Sequence, residues 1–199
     1  MSFAAAKPRL TPEEYLAIER NADHKSEYFA GEIFAMAGDS ERHNLIVTNV
    51  SGELSALLKK RPDKVYSNCM RVKISQSGVY TYPDVVVVCR SPSFEDERKD
   101  TLLNPTLIVE VLSESTEAYD RGKKFEHYRR IASLDEYLLI AQDRCRIEQF
   151  IKQNDGKWLF SEVNSPGAIV KLPSVDCELA VAEVYDKVEF EKEDEIKRR

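Results

Sequence analysis

Two runs in this chain are apolar on both faces, and each carries an acid where an acid is costly. Val85–Cys89 (VVVVC) and Leu107–Leu112 (LIVEVL) show none of the polar alternation of a half-exposed strand. Such runs read as central strands covered on both sides. A sheet with both faces covered needs a layer above and below it, which restricts the chain to α/β or α+β architectures. Glu110 lies inside the second run, and Asp84 follows Pro83 at the mouth of the first. Burying a carboxylate costs on the order of several kcal/mol unless it is paired or bound to metal. Each acid therefore requires a partner.

The flanking sequence supplies the covering layers. Thr11-Pro12-Glu13-Glu14 combines a Thr N-cap, Pro at the first helical position and a Glu that can close a capping box. It predicts a short helix ending near Arg20. Lys25–Ala37 reads as a hairpin turning at Ala30-Gly31. Ile46, Val47, Val50, Leu54, Leu57 and Leu58 recur at helical spacing and predict a helix over Glu41–Lys60, closed by Arg61-Pro62. Strands are expected at Lys64–Ile74, Tyr80–Cys89, Thr106–Ser113 and Glu136–Ala141. A helix is expected at Glu117–Ala132. Arg146–Ile151 and Trp158–Val163 flank the turn Gln153–Gly156 and form an extra β-hairpin. Leu179–Val188 reads as a closing helix. The expected fold is one α/β (α+β) domain over residues 1–199, a mixed β-sheet flanked by helices, with 1–10 and 189–199 frayed.

Totals narrow the function. The chain has 199 residues, 42% of them apolar, enough for a core without disulfides or structural metal. Its four cysteines form no CxxC pair. No apolar stretch suits a membrane span or a signal peptide, so a cytoplasmic protein with no membrane partner is expected. With 29 Lys and Arg against 35 Asp and Glu, the formal charge is −6, which argues against coating DNA by bulk charge. A nuclease whose acidic centre is neutralised by metal stays open.

If the two apolar strands pair antiparallel across the loop Arg90–Asn104, Cys89 faces Pro105. Counting back five residues on each side sets Asp84 opposite Glu110. Opposed residues share a face, so the two carboxylates would lie together. That is a place for a divalent cation such as Mg²⁺, or for a core Arg or Lys. In the following helix, Arg121, Lys124, Phe125, Tyr128, Ile131 and Ala132 share one stripe, with Lys123 turned away. Lys124 can therefore reach the carboxylates, unless it snorkels to water.

These features resemble a known superfamily. Pro83-Asp84 followed by Glu110 resembles the PD-(D/E)xK nucleases. The ordered blocks YPDVVVV, LIVEVLSEST, DRGKKFEHYRRI and EYLLIAQD are similar to the Uma2 (DUF820) family of restriction-endonuclease-like proteins, over roughly Thr11 to Asp186. The superfamily's lysine position, two after Glu110, holds Leu112. In Uma2 proteins a lysine of the next helix is thought to replace it, and here that position matches Lys124. Leu138 stands where many relatives carry Trp. The resemblance implies a restriction-endonuclease-like mixed sheet with the site at a splayed hairpin. It implies that Asp84, Glu110 and the main-chain carbonyl of Val111 hold Mg²⁺ or Mn²⁺. It implies that Lys124 orients the attacking water and stabilises the charge developing on phosphorus. Glu27 matches an acid that can complete such a metal site; its plain alternative is a hairpin-surface Glu, and Glu32 is a weaker candidate.

Three further residues are candidate substrate contacts. His43 lies on the apolar stripe of its helix, near the helix start. Ser113, with Ser115 and Thr116, follows the Glu110 strand and most simply caps the next helix. Tyr128 stands one turn from Lys124. Lys59–Lys73 holds six basic residues against one acid, and Asp120–Arg130 five against two, so both are candidate phosphate-binding segments. The expected function is a metal-dependent DNA endonuclease, as a homodimer if both strands of a duplex are cut. The rivals are a non-catalytic nuclease-fold module that binds nucleic acid or protein, and a carboxylate-pair glycosidase, in which Lys124 would have no required role.

Overall fold

The computed structural model describes residues 9–36, 38–74, 78–89 and 91–190. It opens with α1 (Pro12–Glu19), capped by the reciprocal Thr11–Glu14 box. The hairpin β1 (Ser26–Phe29) and β2 (Glu32–Ala35) turns at Ala30 and Gly31, whose φ values of 51° and 92° are the left-handed pair of a tight hairpin turn. Gly31 is also required sterically, because a Cβ there would stand 2.6 Å from the Arg9 Cβ. Helix α2 (Glu41–Leu57) follows, with Ser40 as N-cap.

The two long strands expected at 64–74 and 80–89 are each divided between two sheets. They become β3 (Lys64–Ser67) with β4 (Arg71–Ile74), and β5 (Val79–Thr81) with β6 (Val85–Val88). β3 pairs with β6, and β4 with β5, so one ribbon bends from a larger sheet into a smaller one. The pairs Ser67–Val85 and Val72–Thr81 lie five residues apart on one strand and four on the other. The extra residue bulges the ribbon, and Tyr82-Pro83-Asp84 forms the bend opposite it. Pro83 donates no ladder hydrogen bond, which favours a break there.

The rest of the chain completes the layers: β7 (Thr101–Leu102), β8 (Leu107–Leu112), β9 (Glu136–Ala141), β10 (Ile147–Lys152), β11 (Trp158–Val163), β12 (Ile169–Leu172) and β13 (Cys177–Ala180). The larger sheet runs β11-β10-β9-β8-β6-β3, with β8 and β9 parallel, and the smaller runs β2-β1-β5-β4-β7. The expected extra hairpin is β10–β11, which extends the larger sheet. The mixed α+β class is as expected. Val85, Val87, Val109 and Val111 face α2. Val86, Val88, Ile108 and Leu112 face the smaller sheet and the helical segment 117–128. Both strands are therefore buried on both sides.

Two helical expectations are corrected. The helix expected to reach Ala132 ends sooner. α3 (Glu117–Tyr119) leads into a π-helical turn over Asp120–Lys124, and α4 (Phe125–Tyr128) ends the segment, leaving Ala132 exposed. The closing helix is one turn, α5 (Val181–Val184), because Leu179 belongs to β13 and is buried by pairing with β12. Within the ends expected to fray, Leu10 bonds to the Gly31 carbonyl and Phe190 packs on Tyr185. Residues 1–8 and 191–199 lie outside the described residues. Among those described, no helix is long and apolar enough to cross a membrane.

Candidate active site

β6 and β8 pair with Val85 opposite Val109 and Val86 opposite Ile108. One step further, that register sets Asp84 opposite Glu110, where the ribbon splays toward the smaller sheet. Both acids are buried. The helical segment on this face brings Lys124, itself only 6% exposed, onto Glu110, with Nζ 2.9 Å from Oε1. The same ammonium lies 3.3 Å from Glu27 Oε1 on β1 and 3.5 Å from Asp120 Oδ1 one turn earlier. Glu110 on β8, Glu27 on β1 and Asp120 in the same helical turn thus converge on one lysine.

Asp84, Glu110 and Glu27 are each held by a different donor. Asp84 Oδ2 accepts the Val111 N–H at 2.7 Å, which ties the bend to the strand carrying Glu110. It also lies 3.3 Å from Nε2 of His43 in the first turn of α2. Glu110 Oε1 accepts the Tyr128 hydroxyl at 2.7 Å, and that hydroxyl lies 3.0 Å from Thr81 Oγ1. Glu27 Oε1 accepts the Tyr82 N–H at 3.3 Å. Asp120 Oδ1 is buried and accepts no hydrogen bond among the described residues.

The electrostatics follow from burial and from this count of charges. Burial pushes the Glu110 carboxyl up, Asp120 and Asp84 add to the effect, and Lys124 opposes it. Burial alone would lower Lys124, but the carboxylates, Glu110 foremost, hold it well above its ordinary value. Burial likewise raises Asp120. For His43 burial opposes the charged form, but the hydrogen bond and charge of Asp84 raise it overall.

A model for the Uma2 family, described as "Putative restriction endonuclease", matches residues 12–182. The chain belongs to the Uma2 family. Two Synechocystis proteins, both described as uncharacterized, are similar to it along nearly all of their length. One is 39% identical over 171 residues, 86% of this chain and 97% of the relative. The other is 37% identical over 191 residues, 95% and 98%. The fold matches the crystal structure of a putative nuclease of DUF820 from Anabaena variabilis, with a TM-score of 0.74, 19% identity, and 90% and 99% of the two chains covered.

Against the expectations for a Uma2 chain, Asp84, Glu110, Lys124 and Glu27 are brought together. The three candidate substrate contacts are placed differently. Tyr128 is fully buried and spends its hydroxyl on Glu110, so it positions that carboxylate and does not face a substrate. His43 is buried against Asp84, because the start of α2 abuts the bend. Ser113 Oγ accepts the Thr116 N–H and lies 3.1 Å from Ser115 Oγ, so its hydroxyl is used within the turn that leads into α3. Glu32 is exposed, paired with Phe29 at the hairpin end. Half of the basic segment 59–73 is committed elsewhere: Arg71 is buried, Lys73 pairs with Glu95, and Arg61 pairs with Asp63, while Lys59, Lys60 and Lys64 are exposed. The residue missed is Asp120, whose signal was its position four before Lys124 on one helical stripe.

The side chains present fit a hard divalent cation. Among the described residues, four carboxylates (Glu27, Asp84, Glu110 and Asp120) face two cationic groups, Lys124 and His43, which leaves surplus negative charge in an oxygen-lined site. Among the described residues no three His, Cys, Asp or Glu side chains form a ready-made ion cage. Mg²⁺ does not require one, since it takes one or two carboxylates and completes its shell with water and phosphate oxygens.

Proposed function

We propose that the chain is a divalent-metal-dependent phosphodiester hydrolase that cuts DNA. The observation carrying this reading is Lys124, which comes from the next helix and reaches Glu110 on the face that Glu110 shares with Asp84. The surplus of carboxylates suits Mg²⁺ or Mn²⁺, held by Asp84, Glu110 and the Val111 carbonyl, with Glu27 beside them. When bound, the ion supplies Lewis acidity toward a phosphate oxygen and lowers the pKa of the attacking water.

The remaining work falls to the chain's own groups. Lys124 stays protonated among its carboxylates. It can therefore donate a hydrogen bond to the attacking water and balance charge growing on a phosphate oxygen, but it is a poor base. Val111 N–H and His43 hold Asp84, and Tyr128 holds Glu110. The acids are thus fixed before substrate arrives, so little reorganisation remains for the reaction. One centre cuts one strand; we further propose a homodimer, in which a second copy supplies the centre for the opposite strand.

The test is nicking of supercoiled plasmid in Mg²⁺ or Mn²⁺. The wild type should nick, EDTA should stop it, and Asp84→Ala, Glu110→Ala and Lys124→Ala should each lose on the order of a hundredfold or more. Activity that survives Asp84→Ala would overturn the mechanism. Absence of cleavage on DNA and RNA, with no Mn²⁺ bound, would favour the non-catalytic module.

A further inference from the structure

We infer that the β1–β2 hairpin carries a base-stacking platform, and that the substrate presents an unpaired nucleotide beside the phosphate to be cut. This rests on the nuclease reading of the site and names the class of DNA that the site takes. In the hairpin, Glu27 pairs with Phe34 and Phe29 with Glu32. Directly opposed residues project to the same side of the ribbon, and diagonal neighbours lie about 7–8 Å apart. Glu27, Phe29 and Phe34 therefore share one face. That face meets the helical segment, since Glu27 reaches Lys124 and the Phe29 ring lies 4.9 Å from that of His127. The opposite face buries Tyr28 against Tyr15 and Tyr80.

Two phenyl rings thus flank a site carboxylate and yet stay open: Phe34 is 49% and Phe29 37% exposed. Among the described residues β2 is the edge strand of its sheet, and no further strand lies beside the Phe34 ring. Exposing two aromatic rings at the mouth of a charged cluster gives the fold no stability. It gives a nucleobase a surface. Aromatic faces serve bases whose own faces are free, which in duplex DNA are covered by the neighbouring base pairs. The charge balance points the same way. A chain of net charge −6, in which Arg61, Arg71 and Lys73 of the 59–73 basic segment are ion-paired or buried and Lys59, Lys60 and Lys64 stay exposed, has few cations for phosphate contacts along a duplex. Stacking supplies affinity that salt does not screen.

The test is binding, read apart from cleavage. A 5′-labelled single strand of about 16 nucleotides and the matching duplex are titrated with the full chain, in Ca²⁺ in place of Mg²⁺, using fluorescence anisotropy. Wild type should prefer the single strand. Phe34→Ala should weaken single-strand binding about tenfold and leave duplex binding unchanged. Phe34→Trp should restore it, and Phe34→Leu, apolar but without a π face, should not. Unchanged thermal melting of each variant confirms that only the surface was altered. Equal loss on single strand and duplex, full binding by Phe34→Leu, or a Phe34→Ala effect confined to the size of the particle by sedimentation would overturn the platform. The last result would assign the rings to contact between copies of the chain. Failure of the nuclease reading looks different: Phe34-dependent single-strand binding with no cleavage in Mg²⁺ or Mn²⁺.

Discussion

Two clusters of buried charge lie on either side of the Tyr82–Asp84 bend, and they are built on opposite terms. In one, Arg71 gives its guanidinium to Thr101 Oγ1 at 2.9 Å, the Tyr82 hydroxyl at 2.8 Å and Asp100 at 3.1 Å, between the rings of Tyr15 and Tyr82. Arg20 closes on Asp100 and Asp96, and Glu19 accepts from Ser26 N–H and the Tyr82 hydroxyl. Two guanidinium groups there serve three carboxylates, and their hydrogen bonds are made. In the other, Glu27, Asp84, Glu110 and Asp120 crowd one lysine and one histidine, and a buried Asp120 oxygen accepts no hydrogen bond among the described residues. The first arrangement holds α1 to the smaller sheet. The second stores unbalanced charge that a cation would relieve, which is a cost a fold bears at a working site.

Substitutions can break the contrast in order of effect. Lys124→Met should cut nicking on the order of 10²–10³-fold, the scale of removing one preorganised charge from a transition state, as measured by initial rates on supercoiled plasmid. Arg71→Met should instead cost about 3 kcal/mol of stability through lost charged hydrogen bonds, read in urea melts, while the folded fraction keeps its nicking rate. If Arg71→Met instead abolished nicking without loss of stability, the two clusters would not have separate roles.

Glu110→Gln sharpens the comparison from the other side. Burial disfavours the Glu110 charge, and Lys124 keeps Glu27 and Asp120 as partners in the variant. Stability should therefore be unchanged or rise by up to about 1 kcal/mol, while nicking is lost. A loss of several kcal/mol in the melt would instead mark the Glu110–Lys124 pair as structural.

The smallest effect belongs to the Arg20–Arg71 cluster. Hydrogen bonds from Arg20 hold the Asp100 carboxyl down to about 2. A depressed carboxylate pKa stabilises the fold above the ordinary value of about 4 and loses that contribution as pH falls toward 2. Partial exposure screens the pair, so about 1 kcal/mol is expected. The melting difference between wild type and Asp100→Asn should be present at pH 7, fall as pH drops below about 4, and be mostly gone as pH passes through about 2. A difference that grows with acid would contradict the sign.

Much of this was legible in the sequence because it depends on local rules. The capping box fixed α1. The pairing of Val85 with Val109 follows from setting Cys89 against Pro105 and counting, and it carried Asp84 to Glu110. Helical spacing found Lys124, and the family blocks independently pointed to the same residue. What was not legible depends on distant partners. The chain turns at Asn68-Cys69 and bends at Asp84, breaks too short for the sequence alone to show that each strand changes sheets. Nor does it show that β12 captures Leu179 from a helix. In the sequence His43 is a candidate substrate contact because its helix start borders the site, and Tyr128 because it stands one turn from Lys124, to pack on it or to touch substrate. In the fold both turn inward, since buried Asp84 and Glu110 need donors.

The most direct test of the central claim is Mn²⁺ binding followed by electron paramagnetic resonance on the full chain without DNA. Binding should be present in wild type, be lost in Asp84→Asn and in Glu110→Gln, and persist in Lys124→Met and in Arg71→Met. Binding that both carboxylate variants retain would contradict a metal site at Asp84 and Glu110.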